Sequence, residues 1–130
     1  MKTMATILVA EDSDSARRPL VRLLKSEGYE VLIATTAFEA MAAAQRGNPD
    51  LILLDVSMPP IDGLTFLSRL REMPGGNQIP VIVVTAMSDD LTHRRAEELG
   101  VKEYLVKSKF EIDELLELVK KHLRTRPAPA

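Results

Sequence analysis

Five short apolar runs recur along the chain, each separated from the next by a longer stretch of helical periodicity. The runs are Ile7-Leu8-Val9-Ala10, Val31-Leu32-Ile33, Leu51-Ile52-Leu53-Leu54, Val81-Ile82-Val83-Val84 and Tyr104-Leu105-Val106. They are continuous rather than alternating, the pattern of parallel strands buried on both faces. Strict alternation of such runs with helices across short connections predicts one open, doubly wound α/β sheet with helices on both sides. A chain of 130 residues is room for one such domain.

The helical stretches have recognisable ends. Residues 13–27 place Leu20, Leu23 and Leu24 on one face and stop at Gly28. Pro19 inside them should kink the helix or delay its regular part, because it lacks an N–H. Thr36 and Glu39 stand at capping-box spacing before a second helix that ends near Gly47. Residues 64–72 and 89–99 supply the third and fourth, the one followed by Pro74-Gly75-Gly76-Asn77 and the other closed by Gly100. In the fifth, Ile112, Leu115, Leu116, Val119 and Leu123 make one apolar stripe. Glu111, Asp113 and Glu114 near its start and Lys120, Lys121 and Arg124 near its end suit the helix dipole. Arg126-Pro127-Ala128-Pro129-Ala130 is linker-like, so the expected division is a domain over residues 1–124 and a tail or linker over 125–130.

Composition removes several classes of function. Without Cys there is no disulfide framework, thiol nucleophile or thiolate metal site. His93 and His122 are too far apart for a local metal motif. A net charge of −2 argues against direct nucleic-acid binding. No apolar run approaches the ~18 residues of a membrane span, and the first ten residues carry no signal-peptide cleavage pattern. A cytoplasmic domain with no membrane contact is the expectation.

In a parallel sheet the carboxyl ends of all strands open onto one edge, where ligands bind. Glu11 and Asp12 follow the first run, Asp55 the third, Thr85 the fourth and Lys107 the fifth. Each has an ordinary explanation alone: a helix cap, a turn residue, a solvated charge. Together they place three carboxylates, a hydroxyl and an ammonium on one rim. Two charges 4 Å apart interact by about 4 kcal/mol at an effective dielectric of 20. Such a rim should raise a pKa or recruit a cation, and an all-oxygen donor set suits Mg²⁺.

These residues and their surroundings resemble the receiver domain of two-component response regulators, the family of the chemotaxis response regulator. The resemblance covers residues 6–123 and is carried by Ile7-Leu8-Val9-Ala10-Glu11-Asp12, Asp55-Val56-Ser57-Met58-Pro59-Pro60-Ile61-Asp62-Gly63, Val83-Val84-Thr85-Ala86 and Tyr104-Leu105-Val106-Lys107. It implies a flavodoxin-like fold, five parallel strands in the order 2-1-3-4-5 with five helices. In that order Asp55 is central, Thr85 lies one strand away and Lys107 two, roughly 10 Å, so a short hydroxyl and a long amine reach the same place.

The resemblance further implies that Asp55 accepts a phosphoryl group from a phosphohistidine of a sensor histidine kinase. Asp12, Asp55 and the Ser57 backbone carbonyl would ligate Mg²⁺, with Glu11 acting mostly through water. Lys107 and the metal would neutralise charge on the phosphoryl oxygens. Thr85 would bind a phosphoryl oxygen and draw in its loop while Tyr104 turns inward behind it, switching a face of the fourth helix, fifth strand and fifth helix for an unnamed downstream partner. Such a domain is a phosphoacceptor rather than a turnover enzyme, a monomer or a weak dimer on activation.

Two positions depart from the family's commoner pattern, and two more differ from the chemotaxis regulator. Glu11 stands for Asp, which suits a water-mediated role. Lys107-Ser108 replaces Lys-Pro, and implies an altered loop before the fifth helix. Ser57 and Met87, two residues past Asp55 and Thr85, orient water poorly and imply a long-lived phosphoaspartate. Rival readings are a pseudo-receiver that is never phosphorylated, a haloacid dehalogenase-type phosphatase and a flavodoxin-like electron carrier. The phosphatase would need a second acid where Ser57 stands. The carrier's phosphate would be repelled by Glu11-Asp12-Ser13-Asp14.

Overall fold

The computed structural model describes residues 4–59 and 61–123; Pro60, Arg124 and the tail read as a linker lie outside the described residues. Five strands, β1 (Thr6–Ala10), β2 (Glu30–Ala34), β3 (Leu51–Leu54), β4 (Val81–Thr85) and β5 (Glu103–Val106), alternate with five helices. The helices are α1 (Asp14–Ser26), α2 (Ala37–Gly47), α3 (Gly63–Glu72), α4 (Asp90–Glu98) and α5 (Ile112–His122), and a short 3₁₀ turn, Gly76–Gln78, precedes β4. All strand pairs are parallel, in the order β2-β1-β3-β4-β5. No helix among the described residues is long and apolar enough to cross a membrane.

Successive residues of a strand face opposite sides, and the sheet accordingly divides two cores. Leu8, Ala10, Ile52, Leu54, Val81 and Val83 pack with Phe66, Leu67 and Leu70 of α3, Ala40 of α2 and Ala96 of α4. Ile7, Val9, Leu51, Leu53, Ile82 and Val84 pack with Leu20 and Leu24 of α1 and Leu115 and Val119 of α5. Each fully buried aliphatic side chain contributes about 1.5–3 kcal/mol.

Burial on both faces holds for β1, β3 and β4 but not for the margins. The side chains of β5 are all partly exposed, and Ile33 in β2 is 48% exposed. A strand with one neighbour has no second strand to cover its outer flank. The stripe of α5 is also shorter than the spacing implied: Leu115 and Val119 are buried, whereas Ile112 is 42% exposed. Ile112 sits in the first turn, where it borders a cleft with Pro19 and Phe110 instead of the sheet.

Helix ends show local chemistry at work. Ser13, Asp62 and Asp89 cap α1, α3 and α4, each side chain accepting from a backbone N–H three residues on. Helix α1 runs without interruption through Pro19, so its regular part is not delayed; Pro19 is exposed, where water can reach the carbonyl it leaves without a partner. Thr36 Oγ1 accepts from Glu39 N (3.1 Å), but Glu39 returns its carboxylate to the N–H and hydroxyl of Thr35, both at 2.7 Å. Only half of the expected capping box forms there. The full box stands at α5, between Glu111 and Glu114.

One side chain knits the lower edge together. Arg71 at the end of α3 donates to the carbonyls of Leu99 (2.7 Å), Gly76 (2.9 Å), Ile79 (2.7 Å) and Gly100 (3.3 Å). It thereby ties the end of α4 to the connection that leads into β4.

Candidate functional site

The carboxyl edge is built from the strands outward. Asp55 follows β3 directly, and its N–H donates to Ala10 O (2.9 Å), which extends the ladder to β1 and fixes its backbone. Glu11 follows β1 and is held likewise by a bond from its N–H to Ala34 O (2.9 Å). The side chains of Glu11 and Asp55 are 4% and 3% exposed. Lys107 follows β5, its N–H donating to Thr85 O (2.8 Å). Lys107 and Ser108 are the central residues of a turn closed by Lys109 N–H on Val106 O (2.8 Å), which forms the start of the loop before α5.

Four donors converge on the Asp55 carboxylate. Asp55 Oδ1 accepts from Ser57 N (2.9 Å), Ser57 Oγ (2.7 Å) and Thr85 Oγ1 (2.8 Å). Asp55 Oδ2 faces Lys107 Nζ at 3.0 Å, and the same ammonium lies 2.5 Å from Glu11 Oε1. Thr85 comes from the neighbouring strand with a short side chain and Lys107 from the next with a long one. Asp12 is exposed, and one oxygen from each of Glu11, Asp12 and Asp55 lies within 4.8 Å of the others.

The two buried acids respond oppositely. Burial pushes Glu11 up to about 7, against the pull of Lys107 and the Ser13 N–H, with the negative charge of Asp55 adding to the rise. Burial also works against ionised Asp55, yet the Ser57 N–H and hydroxyl, the Thr85 hydroxyl and Lys107 outweigh it and hold Asp55 below the ordinary aspartate range. Burial alone would lower Lys107, but Glu11 and Asp55 raise it and keep it charged. The result is an ionised aspartate at the lip of the central strand, beside the Lys107 ammonium and a cleft of about 420 Å³ lined in part by Ser57, Met87, Thr92 and Arg95.

Tyr104 stands apart from this cluster. Its hydroxyl donates to Met87 O (2.7 Å), and its ring stacks on His93 of α4 with centroids 4.4 Å apart and planes inclined by 16°. Met87 N–H in turn donates to Thr85 Oγ1 (3.3 Å). Sequence reasoning gave Ser57 a backbone carbonyl role and a weak hold on water, and missed its two donors to Asp55. The Asp-x-Ser spacing carried that signal, since an aspartate readily accepts from the backbone two residues on. It missed His93 as well, and no local pattern marks a ring pairing across two elements.

Comparison with known proteins bears on this geometry. Residues 7–120 match the family model of the response regulator receiver domain. The chain is 35% identical to an uncharacterized 14.6 kDa protein of Leptolyngbya boryana, over the full length of both. It is 37% identical to the transcriptional regulatory protein PrrA of Mycobacterium bovis, over 98% of this chain and 54% of that one. The chain thus spans about half the length of that regulator. The chemotaxis protein CheY4 of Vibrio cholerae has the same fold, with a TM-score of 0.85 at 30% identity over 93% of this chain and 100% of that one. So does the receiver domain of the sensor histidine kinase PA1611 of Pseudomonas aeruginosa, whose structure holds magnesium in its active-site cleft (TM-score 0.82, 27% identity, 92% of this chain and 98% of that one). With the sheet order, the acidic edge and the family model in agreement, the chain belongs to the response regulator receiver domains of two-component systems.

Proposed function

We propose that this domain takes a phosphoryl group onto Asp55 from a phosphohistidine of a sensor histidine kinase, in the cytoplasm, and relays the change to a downstream protein through α4, β5 and α5. The observation that carries this reading is the state of Asp55: buried, ionised, and bound at one oxygen by Ser57 and Thr85 and at the other by Lys107. An Asp55 oxygen attacks phosphorus, the P–N bond breaks, and its electron pair leaves with the imidazole. Thr85 and Lys107, released from the carboxylate as it is esterified, then have donors for the phosphoryl oxygens. These preorganised donors stabilise charge where it develops.

The residues present fit Mg²⁺. Three carboxylates contribute oxygens within 4.8 Å of one another, and one ammonium cannot neutralise them. Asp12, Asp55 and the Ser57 backbone carbonyl would hold the ion, with Glu11 behind water; when bound, it supplies charge neutralisation for the transferring group. Lys107 meanwhile keeps Glu11 and Asp55 from repelling each other, and Thr85 links the acceptor to the β4–α4 loop. Tyr104 follows that loop and carries the change to the surface.

The test is labelling by a small phosphodonor with and without Mg²⁺, read by intact mass. One phosphoryl per chain, dependent on the metal and absent in Asp55→Asn, is expected. No label in the native chain would make it a binding-only receiver, and many turnovers would make it a phosphatase.

A further inference from the structure

The hydrogen bonds that begin at Asp55 do not end at Tyr104. Asp55 Oδ1 accepts from Thr85 Oγ1 (2.8 Å), which accepts from Met87 N–H (3.3 Å), and Met87 O accepts from the Tyr104 hydroxyl (2.7 Å). The Tyr104 ring then lies flat on His93, and His93 Nε2 is 3.8 Å from Glu97 one turn further along α4. His93 and Glu97 have side chains 47% and 65% exposed. A group on the outer surface of α4 is therefore connected to the acceptor carboxylate through contacts that are each in the structure.

We propose that His93 is a positioning residue for phosphorylation: its ring, stacked on Tyr104, holds the tyrosine hydroxyl on Met87 and so keeps the Thr85 hydroxyl on Asp55. The argument rests on the phosphoacceptor reading of Asp55 given above. Tyr104 lies on β5, a strand with partly exposed side chains; its ring packs partly against the core and, on α4, stacks on His93. The stack helps to orient the ring, since rings in contact restrict one another beyond the area they bury. The Met87 loop has no regular structure of its own, and the Tyr104 hydroxyl is the side-chain donor that pins its carbonyl. Because binding couplings are reciprocal, a partner that grips His93 or Glu97 would also bias Thr85 at the site.

The experiment compares native protein with His93→Ala and His93→Phe. Alanine removes the ring while favouring the helix; phenylalanine keeps a ring able to stack. Two quantities are read: the hydrogen-exchange rate of the Met87 amide and the rate of Asp55 labelling by acetyl phosphate with Mg²⁺. The alanine variant should exchange faster at Met87 and label on the order of threefold more slowly, with phenylalanine restoring both. Urea midpoints of the three proteins separate this from general loosening. Equal Met87 exchange in all three overturns the proposal, as does equal labelling of native and alanine proteins. Absence of label in native protein overturns the phosphoacceptor reading instead, and the amide exchange then still decides whether His93 positions the loop.

Discussion

Gly63 stands so close to Asp55 that a Cβ at position 63 would lie 2.7 Å from the Asp55 carbonyl oxygen and 2.6 Å from Val56 Cα. Its N–H donates to Val56 O (2.8 Å), so the head of α3 is bonded directly to the segment that carries Asp55. The obstructing atoms are backbone and cannot rotate away. Gly63→Ala should cost about 1–3 kcal/mol through overpacking, visible as a lower urea midpoint. It should also slow labelling of Asp55, since the acceptor is what must shift. An alanine variant of native stability and rate would show that the β3–α3 loop yields freely.

Arg71→Met should destabilise the fold by about 2–4 kcal/mol. The substitution keeps most of the aliphatic bulk but withdraws the donor from Leu99, Gly76, Ile79 and Gly100 carbonyls. Lysine, a point donor without a fork, should recover only part of this. Equilibrium unfolding measures the loss, and exchange of amides at the end of α4 locates it. A midpoint unchanged in Arg71→Met would mean that water satisfies those carbonyls.

Glu11 gives stability a specific pH dependence. Its pKa in the fold is about 7 against an ordinary 4.5, so the folded chain holds this proton more tightly than the unfolded one. Below about 4.5 both forms are protonated; between the two values only the folded form is, and stability falls as pH rises; above about 7 the loss is complete. Without divalent cations, the urea midpoint of native protein should therefore decline from pH 5 to pH 8 more steeply than that of Glu11→Gln. Parallel curves would show that burial of Glu11 does not govern this range.

On the proposed phosphoacceptor reading, Ser57 and Met87 should set how long the phosphoryl group stays. Ser57 spends its N–H and hydroxyl on Asp55, and Met87 offers a thioether that neither orients nor deprotonates water. The phosphorylated lifetime should exceed that of receivers with an amide and an acid at these places. Ser57→Asn with Met87→Glu should shorten it by roughly tenfold, about 1.4 kcal/mol off the hydrolytic barrier. Loss of label from native protein within seconds of donor removal would contradict this.

The layers and the acidic edge were legible because each depends on local order. A run such as Leu51-Ile52-Leu53-Leu54, short and alternating with helical stretches, reads as a strand, and Asp55 after it then emerges at the strand's end. Ile33 and Ile112 were misjudged because apolar character says nothing of whether a neighbour exists to cover it. Arg71 and His93 were invisible for a related reason. Arg71 is paired with carbonyls, which every residue has, and His93 with a ring on another element. Pro19 does not delay the regular part of α1, since an exposed helix flank tolerates what a buried one would not.

The half-covered flank of β5 has a mechanical consequence. Moving β1, β3 or β4 would open oily interior on both sides of the sheet at once, whereas β5 can tilt or slide across a thin seam. Strand β2 is as lightly sealed, but among the described residues none of its side chains bonds Asp55. If Asp55 is phosphorylated as proposed, stress created there should find its softest exit toward α4 and α5, which would give the signal a built-in direction.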